Sequence, residues 1–399
     1  MVADYTIAGL DIGTSKICCV MAKPGDQGLE IIGVGQSPLP LVRHGQLSSI
    51  EGAATAIRSA VDQARRMAGT DMHGVVVGFA DRSVRSKNVT GMIALNRSEV
   101  GDQEIRRVLA AAHASVMSQE NEFLHLIPRE YQVDTLDGVT DPRGMVCSRL
   151  EVRAHLVTAG AISVRNTLKA CQRAGLSVDG LVLQALAAAD AVLTADEKEL
   201  GVALLDIGAG STDLAVFKHG VLWYTAVLPG AGGQITADIA RQLRILPTEA
   251  EQLKVRYGSC SVQHGEVPQV RDKVISRAEL SALITTRVEA LISEVATHTR
   301  RSRHGGRLIA GLVITGGTAL LPDLDIFVEQ MTTVPVRIGL PTGCQGLVDQ
   351  INHPACAVAV GLLRQRDSVL VSPFQHEPAS PPSKIGFLNR ALNWFRKPA

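Results

Sequence analysis

Aromatic side chains are scarce in this 399-residue chain: two Trp, four Tyr and seven Phe, 3% of the whole. Net charge is nearly absent, with 40 Lys and Arg against 39 Asp and Glu and a formal balance of +1. Without a basic field there is no electrostatic case for a dedicated nucleic-acid binder, so no nucleic-acid partner is expected. The seven cysteines (Cys18, Cys19, Cys147, Cys171, Cys260, Cys344 and Cys356) form no C-x-x-C pair. An odd, scattered set reads as buried thiols in a reducing compartment, not as a disulfide framework or a zinc site. No run reaches the roughly 20 apolar residues that cross a bilayer; even the stretch from Leu181 to Leu193 is broken by Gln184 and Asp190. The opening MVADYTIAGLDIG places acids at Asp4 and Asp11 and no basic residues ahead of an apolar segment, which does not suit a secretory signal. What the chain does have is 46% apolar residues, ample for a large core and incompatible with global disorder. At about 150 residues per domain, its length suggests roughly two to three domains.

Within that length one short pattern occurs twice. Leu10-Asp11-Ile12-Gly13 returns as Leu205-Asp206-Ile207-Gly208, 195 residues later. Each copy is an apolar β-prone run, a Gly/Thr/Ser turn and a second β-prone run: IAGLDIGTSKICCVMAK and VALLDIGAGSTDLAVFKHG. That pattern predicts a β-hairpin whose tip grips a ligand, and two copies half a chain apart predict two similar lobes facing each other. The tips suit the phosphate tail of a nucleotide. Gly13, Gly208 and Gly210 let backbone N–H groups approach an anion. Thr14, Ser15, Ser211 and Thr212 add hydroxyl donors, and Lys16 adds positive charge. Asp11 and Asp206 would repel phosphate unless a divalent cation lay between them, so the pair implies Mg2+ held largely through water. One D-I-G turn alone is as well explained as an ordinary hairpin; the repetition favours the ligand. A third glycine turn, in VITGGTALLP at 313–322, runs from a buried strand through Gly316-Gly317 toward a helix. It would let a base or ribose lie on bare backbone.

Two phosphate hairpins followed by a Gly-Gly turn is the order found in the actin and heat-shock-chaperone ATPase superfamily. Within it the chain resembles the FtsA family of bacterial cell-division proteins over essentially its whole length. The most specific stretches are GLDIGTSKI (9–17), HLIPREYQVD (125–134), TEAEQLKVRYG (248–258), VITGGTALLPDL (313–324) and FLNRALNWFRK (387–397). The resemblance implies an α/β, two-lobed actin-like ATPase fold, with a small α+β subdomain inserted in the first lobe and a C-terminal amphipathic helix. It implies ATP and Mg2+ as cofactors. Gly13, Thr14, Ser15, Lys16, Gly208, Gly210, Ser211 and Thr212 would hold the phosphates, and Asp11 and Asp206 the metal's water shell. Gly232 and Gly233 would line the cleft, Glu251 and Lys254 reach the ribose and base, and Gly316 and Gly317 close the adenosine side. A helical reading of 248–256 puts Glu251 and Lys254 three apart on one face, a spacing that also describes a solvated ion pair. Gln184, an isolated amide in LVLQALAAADAVL, stands where such ATPases position the attacking water; it also reads as a helix-surface amide. At Ala209 the family pattern has a third glycine, and a methyl there would crowd the phosphates and work against rapid turnover.

The same resemblance divides the chain. First-lobe segments 1–84 and 163–197 flank an inserted interaction subdomain at 85–162. Second-lobe segments 198–243 and 305–354 flank a helical subdomain at 244–304. A helix within 355–371 would return to the first lobe, followed by a linker at 372–383 and the terminal helix 384–399. Sequence patterning predicts helices over 52–68, 102–117, 164–174, 279–301 and 354–363. In the family, the 244–304 region receives the acidic C-terminal peptide of FtsZ, the tubulin-like polymer. Arg287, Arg300 and Arg301 are candidates to bind it, because guanidinium forks pair with carboxylates; a solvated helix face carries such charges too.

The tail changes character twice. Residues 372–383 (SPFQHEPASPPS) hold four prolines and no regular apolar pattern, as in a semi-extended linker. Beyond them, at about 100° per residue, Ile385, Phe387, Leu388, Ala391, Leu392, Trp394 and Phe395 share one half of a helical wheel. Asn389, Arg390, Asn393, Arg396 and Lys397 fall on the other, and only Lys384 intrudes on the apolar side. Fourteen helical residues span about 21 Å, short of a roughly 30 Å hydrocarbon core. The pattern suits a helix lying in the interface of an anionic membrane; the alternative is a helix docked on the body of the protein. One such helix holds a membrane weakly, so self-assembly, which multiplies tethers, is expected as well.

The leading expectation is an ATP-binding membrane tether with at most slow ATPase activity. It would polymerise, capture FtsZ at the septum on the cytoplasmic side of the membrane, and signal to later division proteins through the inserted subdomain. A small-molecule kinase of the same superfamily would need a catalytic Asp aimed at a bound hydroxyl and gives no reason for the tail. A pilus-assembly scaffold would share the cleft and the inserted subdomain but lack the membrane helix.

Overall fold

The computed structural model describes residues 6–365, apart from 26–27, 40–41, 44–45, 48, 73, 115–119, 263, 266, 268–274 and 302–307. The linker and the tail residues Ile385, Phe387, Leu388, Arg390, Leu392, Trp394, Phe395, Arg396 and Lys397 lie outside the described residues.

The first lobe opens with β1 (Ile7–Ile12), β2 (Lys16–Gly25) and β3 (Gly28–Pro38), an antiparallel meander. A two-stranded ribbon, β4 (Val42–Arg43) and β5 (Gln46–Leu47), leads to α1 (Ile50–Ala68). This helix starts where the Ser49 hydroxyl accepts the Gly52 N–H at 3.1 Å and stops where Gly69 turns left-handed at φ +65°. Its Ala53, Ile57, Ala60, Val61 and Ala64 recur at three- and four-residue spacing and are buried, as an apolar helix stripe must be. β6 (Val75–Phe79) then runs parallel to β1.

The inserted subdomain follows: β7 (Arg85–Glu99), α2 (Asp102–Ala114), β8 (Asn121–Val133), β9 (Leu136–Val139) and β10 (Val146–Gly160). Its sheet has the order β7-β10-β8-β9, and Leu109, Tyr131 and Leu150 belong to a core of its own. The helix expected over 102–117 is described to Ala114. The first lobe resumes with α3 (Ala161–Arg173), β11 (Val178–Leu183) and α4 (Gln184–Val192). The apolar run around Gln184 is therefore split, its first half a strand and its second a helix. α5 (Ala195–Leu200), closed by a Thr194–Glu197 capping box, leads across to the second lobe.

There the first lobe's plan repeats. β12 (Val202–Ile207), β13 (Thr212–Lys218) and β14 (Val221–Leu228) form a second meander. It is followed by α6 (Gly232–Leu243), α7 (Pro247–Tyr257), α8 (Arg277–Arg301), β15 (Gly311–Thr315), α9 (Leu324–Thr332) and β16 (Val336–Ile338). The orders β3-β2-β1-β6-β11 and β14-β13-β12-β15-β16 correspond strand for strand. One boundary differs from expectation. β17 (Cys344–Gly346) leaves the second lobe and pairs parallel with β3, covering an edge that would otherwise stay open. α10 (Val348–Ile351) and, after a 3-10 turn at Pro354–Cys356, α11 (Ala357–Arg364) follow.

Alternation along β12 joins the two lobes' interiors. Val202 and Leu204 enter the core shared with α4 and α11, while Ala203, Leu205 and Ile207 enter the core lined by α6 to α9. Successive strand residues point to opposite faces, so a single strand serves both cores. Ile57 of α1, fully buried in the first of them, supplies a direct check. Ile57→Ala should lower the unfolding free energy by about 2–5 kcal/mol in a denaturant titration; a loss under about 1 kcal/mol would mean that α1 does not pack as described.

Candidate functional site

The two repeated turns are built alike. The Gly13 N–H donates to the Lys16 carbonyl at 3.0 Å, and the Gly208 N–H to the Ser211 carbonyl at 3.0 Å. Register pairs Asp11 with Cys18 in the first hairpin and Asp206 with Asp213 in the second. Lys16 thus stands where the second copy has Ser211, and Cys18 where it has Asp213. The tips meet: a methyl built on Gly210 would lie 2.5 Å from the Thr14 side chain. Between the lobes lies a cavity of about 370 Å³. From the first hairpin Asp11, Gly13, Thr14, Ser15 and Lys16 line it; from the second, Asp206, Gly208, Ala209 and Ser211. Gln184, Gly232, Glu251, Lys254, Gly316 and Gly317 complete the expected set that reaches it.

Three expected residues play other parts. Thr212 is fully buried, and its hydroxyl donates to the Gly230 carbonyl, because strand alternation turns it away from the cavity that its neighbour Asp213 faces. Gly233 donates its N–H to the Ala209 carbonyl at 2.7 Å, tying the first turn of α6 to the second hairpin. Gly210 packs on Thr14 as above. Gly316 lines the cavity for a reason other than a bare platform for a base. It sits at φ +87°, and a Cβ there would come within 2.3 Å of Asp206 Oδ1, so glycine is required for the turn to pass behind that carboxylate. Ala209, which lines the cavity, has no left-handed φ, so its backbone accepts a methyl.

Electrostatically the site is crowded with buried acid. Burial pushes Asp11 up to about 6 against the pull of Lys16. Burial and then the Asp11 charge push Asp206 up to about 7, again opposed by Lys16. Asp213, which sequence reasoning missed, is only 3% exposed. Burial first, then Asp206 and Asp11, hold its carboxyl well above the usual range, and its Oδ1 has no hydrogen-bond partner among the described residues. The signal was present: an acid inside the apolar strand TDLAVFK. Also missed were Asp81, Ser163 and Asn166, which line the cavity from the first lobe.

Gln184 is a buried residue, not a surface amide. As the first residue of α4 it donates from Nε2 to Asp11 Oδ1 at 3.0 Å and to the Ile12 carbonyl at 3.4 Å. The Glu251–Lys254 pair is buried on the lysine side only, the Glu251 side chain being 49% exposed. Lys254, 8% exposed, donates to Glu251 Oε2 (2.7 Å), Thr236 Oγ1 (2.9 Å) and the Gly232 carbonyl (3.1 Å). The Arg287 guanidinium does not line the cavity and is already paired: its Nε donates to Asp238 Oδ2 at 2.6 Å and holds α8 to α6. Arg300 is exposed on α8, and the Arg301 side chain lies outside the described residues.

A family model for the cell division protein FtsA matches residues 203–361, and one for the SHS2 domain inserted in FtsA matches 82–158. Similar relatives are the cell division proteins FtsA of Pseudomonas aeruginosa PAO1, 38% identical over 98% of this chain and 97% of that one, and of Escherichia coli K12, 32% identical over 98% and 97%. Among solved structures, a PilM-PilN type IV pilus biogenesis complex matches with TM-score 0.66 and 20% identity over 92% of this chain and 99% of the other. MreB5 of Spiroplasma citri bound to ADP matches with TM-score 0.56 and 13% identity over 92% and 98%. These two share the actin-like fold.

The raised carboxyls carry a sign. Between the ordinary carboxylate range and pH 7 the native Asp206 keeps a proton that the unfolded chain has released. The stability contributed by this site is therefore present in acid and lost as pH rises through about 7. In nucleotide-free protein treated with a chelator, Asp206→Asn should raise the melting temperature by several degrees at about pH 8 and by little at about pH 4.5. An equal gain at both pH values would remove desolvated charge as its cause.

Proposed function

Because the chain belongs to the FtsA family of cell division proteins, we propose that it is an ATP-binding adaptor that assembles at the division septum and holds FtsZ to the cytoplasmic face of the membrane. The observation that carries the nucleotide reading is the cavity itself: two matching turns meet tip to tip, with Lys16 set against Asp11 and Asp206.

The donor set fits a divalent cation. Crowded carboxylates and an unpartnered Asp213 oxygen are what a cation relieves. Among the described residues no three His, Cys, Asp or Glu side chains stand close enough to hold one directly. Asp11 and Asp206 would hold Mg2+ through water, and the ion would neutralise phosphate charge. Lys16 and the turn N–H groups other than those of Gly13 and Gly208, which close the hairpins onto the Lys16 and Ser211 carbonyls, bind the phosphates. The Lys254–Glu251 pair, fixed by Thr236 and the Gly232 carbonyl, presents an ordered polar edge to the ribose and base. Gln184 hydrogen-bonds to Asp11, and its amide orients a water toward the terminal phosphoryl group. The Ala209 methyl narrows the phosphate end and favours slow turnover.

The other functions rest on the family and on the tail. Among the described residues no helix is long and apolar enough to cross a membrane, and the apolar and cationic pattern of the sequence at 384–399 suits interfacial attachment. With Arg287 committed to Asp238, Arg300 and Arg301 remain for an acidic FtsZ peptide, and Arg287 serves to brace the helices beneath them. Self-assembly multiplies weak tethers, and the inserted subdomain offers a surface to later division proteins. The kinase alternative has no supporting observation, and the pilus-scaffold alternative has a likeness of fold only.

Two experiments test this reading. Gln184→Ala should abolish phosphate release from ATP while leaving nucleotide affinity within about twofold; an unchanged hydrolysis rate takes Gln184 out of the mechanism. Removal of 384–399 should eliminate co-sedimentation with anionic liposomes in the presence of ATP, and persistent binding would place the membrane contact elsewhere.

A further inference from the structure

The inserted subdomain belongs covalently to the first lobe, between β6 and α3, yet its most buried polar contacts run to the second. His155 of β10 is 1% exposed. Its Nδ1 lies 2.9 Å from Asn88 Oδ1 of β7, and its Nε2 lies 3.0 Å from Thr225 Oγ1 of β14. Burial and the nearby Arg129 push this imidazole down to about 3, so it is neutral. With Asn88 presenting an acceptor, Nδ1 carries the proton and Nε2 accepts the Thr225 hydroxyl. On the same strand the Thr225 carbonyl accepts the Ser86 hydroxyl at 2.7 Å. The Arg129 guanidinium of β8 lies 3.5 Å from the centre of the Trp223 ring, a cation–π contact. Between these two, Tyr224 points the other way, its hydroxyl 2.7 Å from His298 Nδ1 of α8. Strand alternation thus makes three consecutive residues of β14 touch two different subdomains.

Both ends of this contact lead to the cavity. β14 pairs with β13, with Val227 opposite Asp213 and Leu228 opposite Thr212, so it is the strand laid directly on the second hairpin. In the first lobe, His125 of β8 accepts the Leu183 N–H at 2.9 Å. Leu183 immediately precedes Gln184, which holds Asp11.

We infer that the inserted subdomain is a latch across the cleft. One foot is on the Leu183–Gln184 junction of the first lobe and the other on β14 of the second, so nucleotide in the cavity and a partner protein on the subdomain bias each other's binding. Dry, directional contacts of this kind do not stretch: a relative rotation of the lobes breaks or remakes them as a set. Any bias is reciprocal by linkage. The inference rests on the nucleotide reading above and adds to it the route by which the subdomain senses the cavity.

Hydrogen exchange on the full chain, with and without a non-hydrolysable ATP analogue and Mg2+, tests it, with analogue binding measured separately by titration calorimetry. In the wild type the analogue should change exchange over β7 and β10 several-fold. In Trp223→Leu/Thr225→Val, and independently in Arg129→Gln, the analogue should still bind while that change is lost. Binding without any change over β7 and β10 in the wild type, or a change that survives in the folded variants, overturns the latch. A wild type that takes up no analogue in the calorimeter overturns the nucleotide reading and the latch together, and is told apart by that measurement.

Discussion

Three carboxylates buried in one cleft are the constraint around which the rest of this molecule is arranged. Asp11, Asp206 and Asp213 are each nearly inaccessible, and each is held above its ordinary range by burial and, for the last two, by its neighbours. A fold left to maximise its own stability would not gather them, since a desolvated charge without a partner is among the most expensive things a core can contain. They persist because two sheets, two cores and a shared pair of helices hold the hairpins in place. Their burial is the kind of local cost that functional sites carry and scaffolds offset.

The duplication explains how such a site is built, and its imperfection explains how it works. Strand order, turn hydrogen bonds and the Asp-Ile-Gly sequence repeat between lobes, giving two opposed anion-facing turns from one design. Where the copies diverge, chemistry enters. The first hairpin carries Lys16 where the second carries Ser211, and the second carries Asp213 where the first carries Cys18. Within the paired hairpins, then, the lysine belongs to the first copy and two of the three carboxylates to the second.

β14 extends the site's reach. Its paired edge lies on the second hairpin, while Trp223 and Thr225 meet the inserted subdomain and Tyr224 meets α8. The two regions proposed to receive partner proteins therefore lean on one strand that itself leans on the cavity.

Much of this was legible in the amino-acid order. Local patterns of period two and period 3.6, glycine turns and a repeated tetrapeptide announce two hairpins, the helices and the twin lobes, because they depend on hydrogen bonds between near neighbours in sequence. Asp11, Asp206 and Lys16 line the cavity as their positions in the repeated hairpin implied, and Lys254 lines it as only the family resemblance implied. Only the folded chain decided that Thr212 turns inward to Gly230, that Gly316 makes room for Asp206, that Arg287 serves Asp238, and that Asp213 joins the other two acids. These outcomes depend on strand register and on partners in other elements of the fold, and no local pattern encodes which face of a strand will find a cavity and which a core.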